Sequence, residues 1–142
     1  MKTLLSFTAL ILFSLLSFSQ TVEGNWKTYD DETGDLESEV KIYKKDGKIY
    51  GKIIKIYKVK NGETNPVCEL CPGQRKNKHV IGMNIITGLS KDGGEWYGDE
   101  SILDPNNGEL YDCKIWLENN NKLAVRGYLG WFFRTQYWVR VK

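Results

Sequence analysis

Apolar and polar residues alternate with a period of two along most of this chain, which is typical of strands with one buried and one exposed face. The alternating runs are short and are separated by Gly, Asn and Asp residues. The pattern predicts eight strands, whose ends are placed to within about two to four residues. They span residues 22–29, 37–44, 48–57, 80–89, 95–103, 109–117, 122–129 and 133–141.

The connections between these strands carry the sequences of tight turns, in which Gly and Asn tolerate the positive φ that is required. The clearest are Lys45-Asp46-Gly47-Lys48, Lys91-Asp92-Gly93-Gly94, Asp104-Pro105-Asn106-Asn107-Gly108 and Asn119-Asn120-Asn121. Successive hairpins form an antiparallel meander, and eight strands protect their edges best by closing on themselves. We therefore expect an all-β fold, a single small antiparallel up-and-down β-barrel of eight strands with one long cysteine-containing loop.

The N-terminus has the pattern of a secretory signal peptide. Lys2 precedes an apolar run over residues 4–18, which ends in the small-residue pattern Ser17-Phe18-Ser19. This run of 15 residues is shorter than the ~20 needed to cross a bilayer, and no second apolar segment follows, so no membrane span is expected. Residues 1–19 are therefore assigned to the signal peptide, and the exported chain is expected to begin at Gln20.

Without the leader, 123 of the 142 residues remain, enough for a single domain over residues 20–142 with a modest core. Removing Lys2 from 20 basic and 18 acidic residues leaves a formal charge of +1, so the overall charge does not favour nucleic acid. Aromatic residues make up 13% of the sequence, which argues against disorder. The composition indicates one folded domain with no nucleic-acid partner.

Residues 123–142 concentrate aromatic and arginine side chains on two alternating runs. One face of each run is mainly apolar, and the opposite faces carry Arg126 and Tyr128 in the first run and Arg134, Gln136, Trp138 and Arg140 in the second. Arginine over an aromatic ring is a favourable contact, so we expect another part of the protein or a ligand to stack there. The residues predicted to bind a ligand are Arg126, Tyr128, Arg134, Gln136 and Trp138.

Gly24-Asn25-Trp26 in the first predicted strand resembles the Gly-x-Trp signature of the lipocalin and fatty-acid-binding barrels, together called calycins. The resemblance implies that Trp26 packs at one barrel end beneath a basic residue from a late strand, for which Arg140 is the candidate. Gly24, Trp26 and Arg140 are then the residues that close the barrel. The alternative is an ordinary core tryptophan beside a glycine bend. Calycins carry their long loop after the first strand, whereas here it follows the third.

The longest predicted connection, between Tyr57 and Val80, contains a Cys68-x-x-Cys71 pair that is a candidate for pinning it. Exported proteins meet an oxidising environment, which favours a Cys68–Cys71 disulfide with Cys113 as a buried thiol. The alternative is a zinc site with Cys68, Cys71, His79 and Cys113 as its four ligands. A redox-active dithiol is disfavoured, because no helix N-terminus is predicted beside the pair.

Motifs for catalysis or for a cofactor are not found in the sequence. A Ser-His-Asp or Cys-His site would have to use His79, the single histidine, and no phosphate-binding loop, nucleophile elbow or zincin motif occurs. Residues 104–108 form a turn rather than a calcium loop, because Ile115 stands where a bidentate glutamate is required. We therefore expect a non-enzymatic protein without a cofactor.

Six groups of residues, in order along nearly the whole mature chain, carry a further resemblance. They are Gly24-x-Trp26; Asp46-Gly47-Lys48-x-Tyr50-Gly51-Lys52-Ile53; Cys68-x-x-Cys71 with Ile81-Gly82; Ile102-Leu103-Asp104-Pro105-x-x-Gly108-x-x-Tyr111-x-Cys113; Arg126-Gly127-Tyr128-Leu129-Gly130; and Arg134-Thr135-Gln136-x-Trp138-x-Arg140. The chain resembles the bacterial secreted family called domain of unknown function 2147. The resemblance implies a small lipocalin-like barrel in the periplasm or outside the cell, with no assigned activity and no assigned catalytic residues.

Two functions of different classes fit this sequence. One is a binding module for a small hydrophobic or anionic amphiphile, with Arg126 and Tyr128 as head-group anchors. The other is a structural component of the cell envelope, whose barrel is filled by its own side chains and whose exposed aromatics meet a protein partner. Strand phase discriminates between them. If Leu123 and Val125 point inward, as their hydropathy favours, Arg126 and Tyr128 point outward and the ligand loses these anchors.

Overall fold

The computed structural model describes residues 20–58 and 61–142, so the predicted signal peptide lies outside the described residues. These residues form ten strands and one 3-10 turn, Gly73–Arg75. The strands are β1 (Gly24–Tyr29), β2 (Leu36–Lys45), β3 (Lys48–Ile56), β4 (Val67–Cys68), β5 (Lys78–His79), β6 (Asn84–Asp92), β7 (Glu95–Asp104), β8 (Glu109–Asn119), β9 (Lys122–Leu129) and β10 (Phe132–Arg140). No helix within the described ranges is long and apolar enough to cross a membrane.

Eight of the strands close into a barrel in the order β1-β10-β9-β8-β7-β6-β3-β2, while β4 and β5 form a separate two-stranded sheet in the long loop. Each neighbouring pair in the barrel is antiparallel. The predicted single up-and-down barrel of eight strands with one long cysteine-containing loop is therefore confirmed.

The prediction of a strand over residues 80–89 is wrong at both ends, since β6 begins at Asn84 and ends at Asp92. The Val80 N–H donates to the Pro66 carbonyl at 2.9 Å, and the Met83 N–H donates to the Val80 carbonyl at 3.1 Å. Gly82 has φ +90°, so the chain turns here before it joins the barrel. Val80 and Met83 are buried in the core, and the segment is held against β3 by the Gly82 N–H, which donates to the Ile53 carbonyl at 2.7 Å.

The barrel interior is filled by apolar side chains from alternate strand positions. Buried residues that form this core include Trp26, Val40, Ile42, Ile49, Ile53, Ile86, Leu89, Ile115, Leu123 and Trp138. Burying one large apolar side chain stabilises a fold by about 1.5–3 kcal/mol, so the burial of these side chains is the main stabilising contribution to the closed barrel.

The two ends of the barrel differ in their connections. The N-terminal residues 20–23, the C-terminus and the short turns β2–β3, β6–β7 and β8–β9 lie at one end, here named the closed end. The connections β1–β2, β3–β6, β7–β8 and β9–β10 lie at the other, here named the open end. The open end therefore carries the long loop and the segment that follows β9.

At the closed end, the register of β1 and β10 pairs Trp26 with Arg140. The guanidinium carbon of Arg140 lies 4.2 Å from the centre of the Trp26 ring. The guanidinium donates to the carbonyl oxygens of Thr21, Glu23 and Asn120 at 2.8, 2.9 and 2.6 Å. The last strand is thereby tied to the N-terminal segment and to the β8–β9 turn.

Gly24 and Gly51 are among the glycines that permit close approaches in this barrel. Gly24 has φ +136°, and a Cβ there would lie 2.6 Å from Nη1 of Arg140. A Cβ on Gly51 would lie 2.9 Å from Ile42 and 3.2 Å from Ile86, so the strands beside it could not keep their present packing. The glycine of the Gly-x-Trp signature thus leaves the space that the guanidinium fills.

The long loop is ordered by local contacts. The sulfur atoms of Cys68 and Cys71 lie 2.01 Å apart, the distance of a disulfide. The Asn77 N–H donates to the Cys68 carbonyl at 2.7 Å within the small β4–β5 sheet. A Cβ on Gly108 would lie 2.0 Å from the Leu70 carbonyl oxygen, so the loop packs directly on the β7–β8 turn at the open end.

Candidate functional site

The phase of β9 decides which residues can reach the barrel interior. Leu123 and Val125 are buried and stand opposite core residues of β8. Because neighbouring side chains of a strand point to opposite faces, Arg126 and Tyr128 lie on the outer face. The apolar-inward phase favoured by hydropathy is therefore confirmed, and these two side chains do not line the interior.

Arg126 is held by the protein itself on that outer face. Its Nε donates to Oγ1 of Thr135 at 2.7 Å. Its guanidinium carbon lies 4.3 Å from the ring centre of Phe133 and 5.0 Å from that of Trp116. The stacking expected of this arginine is thus supplied by aromatic rings of the same chain.

The last strand has the opposite arrangement, with its polar face turned inward. The register places Trp138, Gln136 and Arg134 opposite Leu123, Val125 and Gly127 of β9. Nε1 of Trp138 donates to Oε1 of Gln136 at 3.0 Å. Nε2 of Gln136 and Nη1 of Arg134 both donate to Oδ2 of Asp31, at 2.8 and 3.3 Å.

These four side chains, Trp138, Gln136, Arg134 and Asp31, are here named the inner polar chain. It runs from the buried Trp138 indole to the largely exposed Arg134 guanidinium at the open end. Three of its members were predicted from the sequence as ligand-binding residues, and the structure brings them together. Asp31 was missed. It lies in the β1–β2 loop, and the only sequence signal is that inward Arg and Gln side chains need an acceptor.

Two more carboxyl groups near the open end have pKa values displaced in opposite directions. Burial, reinforced by the negative charge of Asp30, raises the pKa of Glu37 above its usual value. A hydrogen bond from Lys58, together with the N–H groups of Thr33 and Glu32, holds the pKa of Asp30 far below its usual value. Glu37 is therefore the more readily protonated of the two, and Asp30 stays ionised with its lysine.

Gly127 of β9 pairs with Cys113 of β8 and with Arg134 of β10, between the packed core and the open end. A Cβ at this position would meet Tyr111 Cβ at 3.8 Å, which is ordinary van der Waals contact. The neighbouring Cys113 is buried, and burial raises the pKa of its thiol to about 12. Cys113 is therefore a neutral thiol at physiological pH rather than a nucleophile.

A shallow depression of about 410 Å³ lies elsewhere, beside the β4–β5 sheet and the start of β6. Its lining residues are Arg75, Lys78, His79, Ile81, Gly82, Met83, Asn84 and Thr87. The residues predicted to bind a ligand are not among them, so this depression is separate from the inner polar chain.

The zinc alternative has no geometric support. Across residues 20–58 and 61–142, no group of three or more His, Cys, Asp or Glu side chains is arranged to hold a metal ion. Nδ1 of His79 lies 3.0 Å from the Asn65 carbonyl oxygen, and Cys113 faces the barrel interior. Cys68 and Cys71 are at disulfide distance from each other.

The closed antiparallel barrel, with an arginine over the tryptophan of a Gly-x-Trp first strand, defines a lipocalin-like protein. The chain belongs to the family described as "Uncharacterized protein conserved in bacteria (DUF2147)", whose profile matches residues 24–140. The family resemblance seen in the six groups of residues is therefore confirmed.

Among solved structures, the chain is similar to protein HP1028 from the human pathogen Helicobacter pylori, which belongs to the lipocalin family. The TM-score is 0.71, with 19% sequence identity over 86% of this chain and 84% of that chain. At this identity the likeness establishes the fold alone. No curated protein sequence matches the chain.

Proposed function

We propose that this protein is a non-enzymatic binding module that takes a small amphiphilic ligand with an anionic head group at the open end of the barrel. The observation that carries the proposal is the inner polar chain. The half-buried amide of Gln136 needs a partner, and both it and the largely exposed guanidinium of Arg134 donate to the loop carboxylate of Asp31. A ligand carboxylate or phosphate has the same chemistry and would take the place of Asp31.

The apolar part of such a ligand has a surface to lie on. Beyond Arg134 the inward face of the β9–β10 hairpin continues with the paired residues Leu129 and Phe132, both more than 60% exposed. Gly127, which pairs with Arg134, lies between this apolar surface and Gln136 along the hairpin. The head group would therefore sit deeper than the tail, because Gln136 and Arg134 lie further from the β9–β10 turn than Leu129 and Phe132 do.

A thermal-shift series tests this proposal. The probes are an alkyl carboxylate, an alkyl phosphate and the neutral alcohol of the same chain length. A ligand at a hundredfold excess over its Kd stabilises the folded state by about 2.7 kcal/mol, which corresponds to several degrees in Tm. We expect the acids to give this shift and the alcohol to give a smaller one.

Two variants separate the inward arginine from the outward one. Arg134→Met should abolish the preference for the acids, while the matched control Arg126→Met, on the outer face of the neighbouring strand, should keep it. Asp31→Asn should strengthen acid binding, because it removes the competing carboxylate. An acid shift that survives Arg134→Met, or the absence of a shift with all three probes, would contradict the proposal.

A second candidate function is protein interaction within the cell envelope. It is supported by the tight packing of the core, with Trp26, Ile49 and Ile86 fully buried, and by aromatic residues exposed on the outside of the barrel. Native mass spectrometry of protein purified from its own cells distinguishes the two functions. A retained small molecule supports the binding module, and its absence together with a negative thermal-shift series supports the interaction function.

We also propose that the protein acts in the periplasm or outside the cell. The support is the signal-peptide pattern of residues 1–19 and the pair of cysteines at disulfide distance. The intact mass of the exported protein should correspond to a chain that begins at Gln20. A mass that includes residues 4–18 would contradict cleavage.

A further inference from the structure

The hairpin that joins β9 and β10 exposes a contiguous set of large apolar side chains at the open end. Leu129, Trp131, Phe132 and Phe133 are 61, 83, 62 and 60% exposed, and are here named the aromatic tip. The rings of Trp131 and Phe132 stack on each other, with centres 3.9 Å apart. Exposed apolar patches of this kind mark interaction sites, since water covers them poorly.

The size of the aromatic tip indicates what kind of surface covers it. An aromatic side chain buries about 150–250 Å², so three at this exposure and one leucine offer on the order of 500 Å². A stable protein–protein interface buries about 800 Å² on each partner. The aromatic tip is therefore too small for a stable complex with a second copy of the chain. Its area fits a segment that inserts into a lipid surface, where a few large apolar side chains are sufficient for binding.

The charges around the tip fit a phospholipid surface. In sequence the apolar residues lie between Arg126 and Arg134. The Arg126 guanidinium rests on the ring of Phe133, at the base of the tip, and the Arg134 side chain is 76% exposed. Tryptophan prefers the interface between head groups and acyl chains, and guanidinium groups bind phosphate with two parallel hydrogen bonds.

We propose that the aromatic tip inserts into the surface of a phospholipid bilayer. Trp131 and Phe132 enter the interfacial region, while Arg126 and Arg134 meet the lipid phosphates. This docking goes beyond the proposed ligand binding and does not depend on it. It turns the open end of the barrel toward the membrane, so an amphiphile could enter from the bilayer without crossing water.

Carboxylates at the same end oppose an anionic surface: Asp30 is paired with Lys58 and Asp31 with Arg134, but Glu32 and Asp35 of the β1–β2 loop are also exposed there. The insertion is therefore driven mainly by apolar area. We expect binding to uncharged phosphatidylcholine vesicles that changes little when phosphatidylglycerol is added and is retained at high salt.

Vesicle flotation with purified protein of verified N-terminus tests the proposal, since an uncut apolar leader would bind lipid by itself. Trp131→Ser should lower the partition coefficient by at least about tenfold, because burying half of one aromatic side chain is worth more than that factor. The matched control is Val139→Ser, on the same strand near the closed end, where Val139 is 40% exposed. It should partition like the wild type. Lipids with brominated acyl chains should quench wild-type tryptophan fluorescence, and most of this quenching should be lost in Trp131→Ser.

Three results would overturn this assignment. The first is equal partition of Trp131→Ser, Val139→Ser and the wild type. The second is binding that requires anionic lipid and disappears at high salt in all variants, which would place the contact on a charged surface elsewhere. The third is no vesicle binding together with self-association in sedimentation that Trp131→Ser abolishes, which would assign the tip to a second copy of the chain. None of these depends on whether the barrel binds an amphiphile.

Discussion

Removing the Arg140 side chain should destabilise the barrel at its closing seam. β1 and β10 pair at Trp26 with Arg140 and at Lys27 with Val139, and the Val141 N–H donates to the Asn25 carbonyl at 2.9 Å. Arg140 also donates to three carbonyl oxygens that lie outside β10. Arg140→Ala therefore removes contacts between three segments of the closed end without creating a cavity in the core.

The expected loss follows from these contacts. Two of the three hydrogen bonds are exposed and one is half-buried, so we assign about 0.5–1 kcal/mol to each. The guanidinium over the Trp26 ring adds about 0.5–2 kcal/mol. Arg140→Ala should thus lower the free energy of unfolding by about 2–5 kcal/mol. A domain of this size loses roughly 3–6 °C in Tm per kcal/mol, so the midpoint should fall by at least about 6 °C.

Urea and thermal unfolding, followed by tryptophan fluorescence, measure this change. The control is Lys142→Ala, which removes an exposed cation two residues away. Arg140→Lys should recover only part of the loss, because an ammonium group cannot reach three acceptors in different directions. Equal midpoints for Arg140→Ala and Lys142→Ala would show that the contact over Trp26 does not stabilise the closure.

Three further predictions concern the same end and the cysteines. Gly24→Ala should destabilise the protein, and by less in an Arg140→Ala background, where the clash with the guanidinium is gone; a double-mutant cycle on unfolding free energies measures the difference. Peptide mapping without reduction should recover a Cys68–Cys71 bridge, and a bridge from Cys113 to either would contradict it. Burial raises the pKa of Cys113 to about 12, so this thiol contributes its full share of folding stability below pH ~8.5, the thiol pKa of the unfolded chain, and loses it as pH rises toward about 12. Stability measured by urea unfolding should therefore decline at alkaline pH, and Cys113→Ala should make that decline smaller.

The fold was predictable because local turn chemistry and strand periodicity agree. Asp46 and Gly47 adopt φ of +52° and +76°, as expected of an Asp-Gly hairpin turn. Seven of the eight predicted strands begin and end within two residues of the observed barrel strands. The exception, β6, follows the long loop, where the hydrogen bonds of Val80 are made to the loop itself and periodicity gives no warning of this.

The candidate site was predictable only in part. Strand phase correctly placed Leu123 and Val125 in the core, which put Arg126 and Tyr128 outside. Asp31 could not be found in this way, because it is far from β10 in sequence and lies in a loop with no alternation. Its partnership with β10 exists only because the barrel closes β1 against that strand.

The last strand shows why hydropathy alone could not place the inner polar chain. Both faces of β10 are mixed, with Phe133 and Tyr137 on one and Gln136 and Trp138 on the other. The contact of Arg140 with Trp26 and the burial of Trp138 fix the phase at the closed end, and period two then forces Gln136 and Arg134 inward. The outward rings are accommodated in turn, Phe133 by Arg126 and Tyr137 by Lys122, whose cationic groups lie 4.3 and 5.3 Å from the ring centres. The inward polar groups of β10 are thus a consequence of closure, and their position beside Asp31 at an open barrel end is what makes an anionic head group the ligand chemistry to test first.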